Sequence, residues 1–256
     1  MSLRDFRKHA GQLAIAGFAG HTIPPELKSF AREFDLGGVI LFARNVESPE
    51  QVADLARQAQ ELASELPLWV SVDQEGGRVA RLKAPFTEWP PMMTLGRSAD
   101  EKLARRFAEA LAAELKAVGI SLDYTPVLDI HTNPKNPVIG DRALAETADG
   151  VARLGSVLIE ALQGNGIAAC GKHFPGHGDT STDSHHELPL IEHPPDRIDR
   201  PRVDVANLGA HDRRATAELH GLGRGGLGVR GGRRERRAGE RCDEERRQQG
   251  RCHARS

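Results

Sequence analysis

The sequence predicts an α/β fold built on a parallel sheet, and three observations predict it. Up to Ile198, short apolar runs alternate with helix-period patterns, the mark of consecutive β/α units. Charged residues directly follow three of the apolar runs, as they do where ligands bind at the carboxyl ends of parallel strands. The length of 256 residues suits a single (β/α)8 TIM-type barrel of roughly 250 residues.

The first strand is expected over Gln12–Phe18 and the second over Gly38–Phe42. A helix follows with Ser48 as N-cap and Pro49 at its first position; Val52, Leu55, Ala56, Ala59, Leu62, Ala63 and Leu66 form its apolar stripe, and Pro67 stops it. The third strand, Leu68–Val72, runs directly into Asp73. The next helix opens at Ser98 with Glu101 three residues on, a capping box, carries Leu103, Phe107, Leu111 and Leu115, and ends at Gly119. Ser121–Leu128 is the fourth strand and Asp129 follows it. A third helix places Val151, Leu154, Leu158, Ile159 and Leu162 on one side before Gly164, and the fifth strand, Ile167–Cys170, leads into Lys172 and His173. No repeat at solenoid periods is present.

Overall composition is that of a soluble globular protein: 39% apolar, 28% charged and a net charge of −1. That balance conceals a division after Ile198. Residues 1–198 hold 20 basic and 27 acidic side chains, a net of −7, whereas residues 199–256 hold 15 Arg against 9 acidic residues, a net of +6. The latter segment has ten Gly and, as large aliphatics, three Val and four Leu, too little apolar surface to offset the entropy of ordering it. It is expected to be a disordered Arg/Gly-rich tail. The absence of an 18-residue apolar run and of an apolar core in the first residues disfavours a membrane span or export, so the cytoplasm is the expected location. Cys170 is alone in the first 198 residues, which excludes a disulfide framework there.

The densest polar constellation is Gly171–His186, with four His, two Asp and one Lys among Gly and Pro. Three readings fit those residue types. It is a polar surface loop; or a metal site, although it sets no His-x-x-x-His pair on a helix, holds no Cys pair and places a lysine beside the ligands; or an acid–base pair. In the last case Asp183 and His185, two apart, share one side of an extended segment, where the carboxylate orients the imidazole. Gly76-Gly77 belongs to neither Gly-rich phosphate motif and reads as a sharp turn behind Asp73.

Lys172-His173-Phe174-Pro175-Gly176-His177-Gly178-Asp179-Thr180 followed by Asp183-Ser184-His185 resembles the signature of glycoside hydrolase family 3, in particular its bacterial β-N-acetylglucosaminidases of peptidoglycan recycling. Gly37–Asn45, Asp73–Arg81, Asp123–Asp129 and Ile139–Arg142 resemble further family segments, in family order, over about residues 5–198. The resemblance implies that Asp73 and Arg81 bind an N-acetylglucosamine ring, with Arg142, Lys172 and His173 as further sugar ligands. It also implies that His185 is the acid/base and Asp183 its partner, and that no metal or organic cofactor takes part. Carboxylates and Arg suit this task because they form paired hydrogen bonds with vicinal hydroxyls. Beside those roles stand plainer ones: Asp73 with Arg81 as an ion pair, Arg142 bonded to Asp141, Asp123 and Asp129 as structural carboxylates, and His177 and His186 as loop supports.

The implied fold is an incomplete TIM-type barrel of about five to six β/α units over residues 1–198, with residues 199–256 a non-homologous segment. The family's nucleophile, an Asp in a later segment, has no counterpart, since Asp199, Asp204, Asp212 and Asp243 follow no apolar run. The abrupt change after Ile198 is that of a shifted reading frame in a GC-rich gene, and the chain as written is expected to hydrolyse little or nothing. The expected partner is an N-acetylglucosamine-containing oligosaccharide. Rival readings are a sugar-binding pseudoenzyme and nucleic-acid binding through the basic segment, the latter disfavoured by its lack of aromatics and Lys.

Overall fold

The computed structural model describes residues 3–64 and 66–189. The expected disordered tail, the four carboxylates weighed within it and the boundary at Ile198 therefore lie outside the described residues.

Five strands form one parallel sheet in the order in which they occur in the chain: β1 (Ile15–Gly17), β2 (Gly38–Leu41), β3 (Trp69–Val72), β6 (Leu122–Asp123) and β7 (Ala168–Ala169). Strictly sequential order is that of a singly wound barrel, whereas doubly wound sheets reverse direction at a switch point. Between β3 and β6 the chain inserts an antiparallel hairpin, β4 (Gln74–Gly76) with β5 (Val79–Ala80). The helices are α1 (Leu3–Gly11), α2 (Pro25–Phe34), α3 (Pro49–Gln60), α4 (Met92–Ser98), α5 (Glu101–Ala117) and α6 (Ala148–Gly164). None of them is long and apolar enough to cross a membrane.

All five expected strands are present but shorter than the apolar runs. Gln12 and Leu13 belong to the turn that ends α1, where Leu13 N–H donates to Ala10 at 3.2 Å. The fourth strand stops at Asp123 because Pro126 has no N–H to donate; pairing resumes at Val127, which bridges Lys172, and Leu128 N–H donates to the Lys172 carbonyl at 2.7 Å. That second stretch of ladder carries the sheet forward to the site.

Helix α3 starts as expected, with Ser48 accepting from Gln51 N–H at 3.2 Å, but it ends at Gln60. Gln60 then substitutes for backbone, donating to the Leu68 carbonyl at 2.5 Å and accepting from Leu68 N–H at 3.3 Å. Leu62 and Ala63 still pack on the core from the turn beyond, while Leu66 is exposed. The cap of α5 is Asp100, not Ser98: its carboxylate accepts from Lys102 and Leu103 N–H at 2.9 and 3.2 Å, and Ser98 closes α4 by donating to Leu95. A carboxylate at a helix N-terminus gains from the dipole as well as from the hydrogen bonds, so Asp100 prevails over the hydroxyl. Gly119, at φ +76°, terminates α5 as its position predicts, and Thr147 caps α6.

The core lies between the sheet and its helices. Val39, Leu41, Val70 and Val72 from the strands and Leu55, Leu111, Leu115, Leu154 and Leu158 from the helices are buried in it.

Helix α4 sits against the chain that leads out of the Gly140–Arg142 turn: a Cβ on Gly96 would lie 1.6 Å from the Leu144 carbonyl oxygen. Gly96→Ala is therefore expected to destabilise the protein by about 1–3 kcal/mol through overpacking. Gly164→Ala, where nothing lies within 4 Å, should be neutral or stabilising by at most about 1 kcal/mol. Urea unfolding of the two variants checks both.

Candidate active site

The site is assembled where β3, the β6 extension and the β7 extension end. Asp73 leaves β3 and the chain stays extended through Gln74 and Glu75, so Asp73 and Glu75 share one face and Gln74 takes the other. Gln74 is buried and fixes the hairpin. Its N–H donates to Asp123 Oδ1 at 2.9 Å, its Oε1 accepts from Arg81 and Leu82 N–H at 2.8 and 3.0 Å, and its Nε2 donates to the Leu82 carbonyl at 2.8 Å. Gly76 and Gly77, at φ +103° and +57°, make the turn. The chain thus doubles back and sets Arg81 Nη2 3.5 Å from Asp73 Oδ2.

On the shared face, Lys172 Nζ lies between the two carboxylates, 2.6 Å from Asp73 Oδ1 and 2.5 Å from Glu75 Oε1. Arg142 grips Glu75 with both arms of its guanidinium, Nε to Oε2 and Nη2 to Oε1, each at 2.8 Å, and Nη1 donates to the Val138 carbonyl at 3.1 Å. The turn bearing Arg142 is held by Asn136, whose Oδ1 accepts from Val138 and Ile139 N–H at 2.8 and 2.7 Å. Asp141 is not the partner of Arg142; it faces Arg78 Nε at 3.7 Å. The guanidinium of Arg142, beside Glu75, is held in its charged form above the ordinary range despite its burial.

Asp129, following the β6 extension, is buried, and its Oδ2 lies 2.6 Å from His173 Nδ1. His173 Nε2 is 3.4 Å from Arg142 Nη2. Deeper still, Asp123 has one oxygen, Oδ2, without a hydrogen-bond partner, and burial pushes its carboxyl well above the usual carboxylate range against the opposing pull of the Gln74 N–H and Lys172. Burial likewise raises the Cys170 thiol.

The loop after Lys172 carries Asp183 and His185. His185 donates twice to Asp183 Oδ1, from its N–H at 2.9 Å and its Nδ1 at 2.7 Å. The pair forms as expected but not in an extended segment: residues 184–186 are a turn in which His186 N–H donates to the Asp183 carbonyl at 3.0 Å. The side chain of an Asp reaching forward to the N–H two residues on is what makes that turn. His177 supports the loop, its Nδ1 2.7 Å from Thr180 Oγ1 and its Nε2 3.0 Å from Ser184 Oγ.

Asp73, Arg81, Arg142, Lys172 and His173 are therefore brought into one contiguous network, and Asp183 with His185 form a second pair on the adjoining loop. Glu75 was not singled out from sequence, although its i, i+2 spacing from Asp73 signals the shared face; Asp129 was read only as structural. Among the described residues no group of three or more His, Cys, Asp or Glu side chains could hold a metal ion.

Glu75 is buried between two cations, so Glu75→Ala strands both Arg142 and Lys172 and should cost about 3–5 kcal/mol in urea unfolding. Asp183, held down first by the His185 N–H and then by its imidazole, titrates below its ordinary 3.8. Its contribution to the loop is complete above 3.8 and disappears as pH falls through the lowered value. Carboxyl 13C NMR should show a midpoint below 3.8 in the native chain that moves up partly in His185→Ala and further in His185→Pro, which removes the N–H as well.

The family model described as the glycosyl hydrolase family 3 N terminal domain matches residues 6–205. A curated β-hexosaminidase A of Pseudoalteromonas piscicida is 39% identical over 208 residues, 77% of this chain and 35% of that protein. A β-hexosaminidase of Nitrosomonas eutropha is 49% identical over 161 residues, 60% of this chain and 46% of its own length. The chain thus spans between a third and a half of these relatives. Among solved structures, a family 3 β-N-acetylglucosaminidase from Paenibacillus superposes with a TM-score of 0.75 at 43% identity, covering 81% of this chain and 40% of that one. NagZ from Neisseria gonorrhoeae, also solved with N-trifluoroacetyl-D-glucosamine, superposes at 0.70 with 36% identity, covering 76% of this chain and 58% of the native NagZ chain. With its sequential parallel sheet, and the Asp73–Arg81 and Lys172–His185 segments at the strand ends, the chain belongs to glycosyl hydrolase family 3.

Proposed function

We propose that the network at the strand ends is the sugar-binding part of a retaining β-N-acetylhexosaminidase site, built for terminal non-reducing N-acetyl-β-glucosamine residues of peptidoglycan-derived muropeptides or chito-oligosaccharides. The observation that carries this reading is the convergence of Asp73, Lys172, Arg81 and His173 on one partly open surface beside a loop bearing an Asp–His pair. Asp73 and Lys172 offer an acceptor and a donor side by side, the pattern that orients vicinal hydroxyls. Arg142, gripping Glu75 and the Val138 carbonyl, is not an open fork, and only its Nη2 edge beside His173 is left for a ligand.

His185 is the general acid/base of this reading. With Nδ1 bonded to Asp183, its Nε2 is the nitrogen that gives a proton to the glycosidic oxygen and later takes one from water. A retaining mechanism also needs a nucleophilic carboxylate on the opposite face of the sugar. No Asp after Ile198 stands in a segment of the kind that supplies it, so this chain binds sugar without turning it over. We place it in the cytoplasm, a reducing compartment in which Cys170, unpaired among the described residues, stays a free thiol.

Calorimetry with N-acetylglucosamine tests the reading. Binding is expected, weakened about tenfold or more in Asp73→Ala by the loss of charge-assisted hydrogen bonds. An aryl N-acetyl-β-glucosaminide should remain unhydrolysed; turnover that His185→Ala abolishes would contradict the missing nucleophile, and absence of binding would contradict the sugar site.

A further inference from the structure

Asp129 receives three hydrogen bonds on a side chain with no exposed surface. Its Oδ2 accepts from the His173 N–H at 3.1 Å and faces His173 Nδ1 at 2.6 Å, and its Oδ1 accepts from the His177 N–H at 2.5 Å. Both oxygens are thus committed as acceptors to backbone donors, so the ring nitrogen at 2.6 Å is the one that carries a proton. The other ring nitrogen, Nε2, lies 3.4 Å from Arg142 Nη2, and a guanidinium has only N–H to present. Two donors do not face each other across that gap, so the lone pair of the ring is at Nε2. The imidazole is 34% exposed, which leaves Nε2 within reach of a ligand.

We propose that Asp129 is a positioning residue: it holds His173 in the Nδ1–H tautomer, so that Nε2 is a hydrogen-bond acceptor for a ligand hydroxyl. This rests on the sugar-site reading. A sugar hydroxyl suits the position because it donates to Nε2 and can accept from the neighbouring guanidinium, replacing a long contact with two shorter ones. The same carboxylate sets the adjoining loop. From Asp129 the path runs through the His177 N–H to the His177 ring, and from its Nε2 to Ser184 Oγ at 3.0 Å, the residue between Asp183 and His185. One buried carboxylate therefore aligns both the hydroxyl acceptor and the segment bearing the acid/base pair.

Imidazole 15N NMR of the full chain at neutral pH reads the tautomer directly. The expected spectrum has His173 protonated at Nδ1 and bare at Nε2. In Asp129→Asn, whose amide can turn an N–H toward Nδ1, the proton should move to Nε2, N-acetylglucosamine affinity should fall about tenfold or more, and amide exchange at Ser184 and His185 should quicken. A merely structural Asp129 would leave the tautomer where it was. Wild-type His173 protonated at Nε2, or an Asp129→Asn variant with unchanged tautomer and affinity, overturns the proposal; if that variant does not fold, the wild-type spectrum decides alone. A wild-type chain with the Nδ1–H tautomer but no affinity for N-acetylglucosamine upholds the tautomer and defeats the sugar-site reading instead.

Discussion

The carboxylate of Glu75, sealed from solvent and held by Arg142 and Lys172, is the contact on which the arrangement of the site depends. Each of its oxygens is used: Oε2 by Arg142 Nε, Oε1 by Arg142 Nη2 and by Lys172 Nζ. These three residues come from three separate parts of the chain, the hairpin after β3, the short turn at Gly140–Arg142 and the extension of β7. A buried carboxylate that lost one cation would be left with an uncompensated charge, so each segment is constrained to bring its partner to the same point.

From that anchor the reactive surface follows. Lys172, fixed at Glu75, reaches across to Asp73; Arg81, fixed through the Gln74 hydrogen bonds to the hairpin backbone, closes the other side. Arg142, fixed at Glu75, comes to rest against His173, whose opposite edge is held by Asp129. Desolvating so many charges adds little to stability, and what it confers is orientation: side chains already in place need no rearrangement when a polar ligand arrives.

Residues at strand ends were legible in the sequence and residues behind them were not. Asp73, Lys172 and His173 announce themselves because a charge follows a short apolar run, a pattern that survives without any knowledge of packing. Asp129 follows an apolar run in the same way, so its place was legible and its role was not; Glu75 follows none, and nothing in the spacing of either states that their partners arrive from 44 and 67 residues away. The five strands were visible from apolar alternation, yet their lengths were not, since Pro126 interrupts one ladder and the turn after α1 takes residues from another. Asp100 displaced Ser98 as a cap because its carboxylate gains from the helix dipole while Ser98 is taken up in closing α4, a helix that the sequence pattern had not placed. The hairpin of β4 and β5 is too short to show a period, whereas α2 went unread although Leu27, Phe30, Ala31 and Phe34 recur at helical spacing along it. Asp183 and His185 were paired for a geometric reason that the loop does not use; a turn, not an extended strand, joins them.

The most direct measurement is an amide NMR titration of the full chain with N-acetylglucosamine. A network built to hold this sugar predicts saturable shifts concentrated at Asp73, Arg81, Lys172 and His173, with smaller ones at Glu75 and Asp129 behind them. Shifts absent from these residues at saturating sugar, or confined to the Arg-rich segment after Ile198, would contradict it.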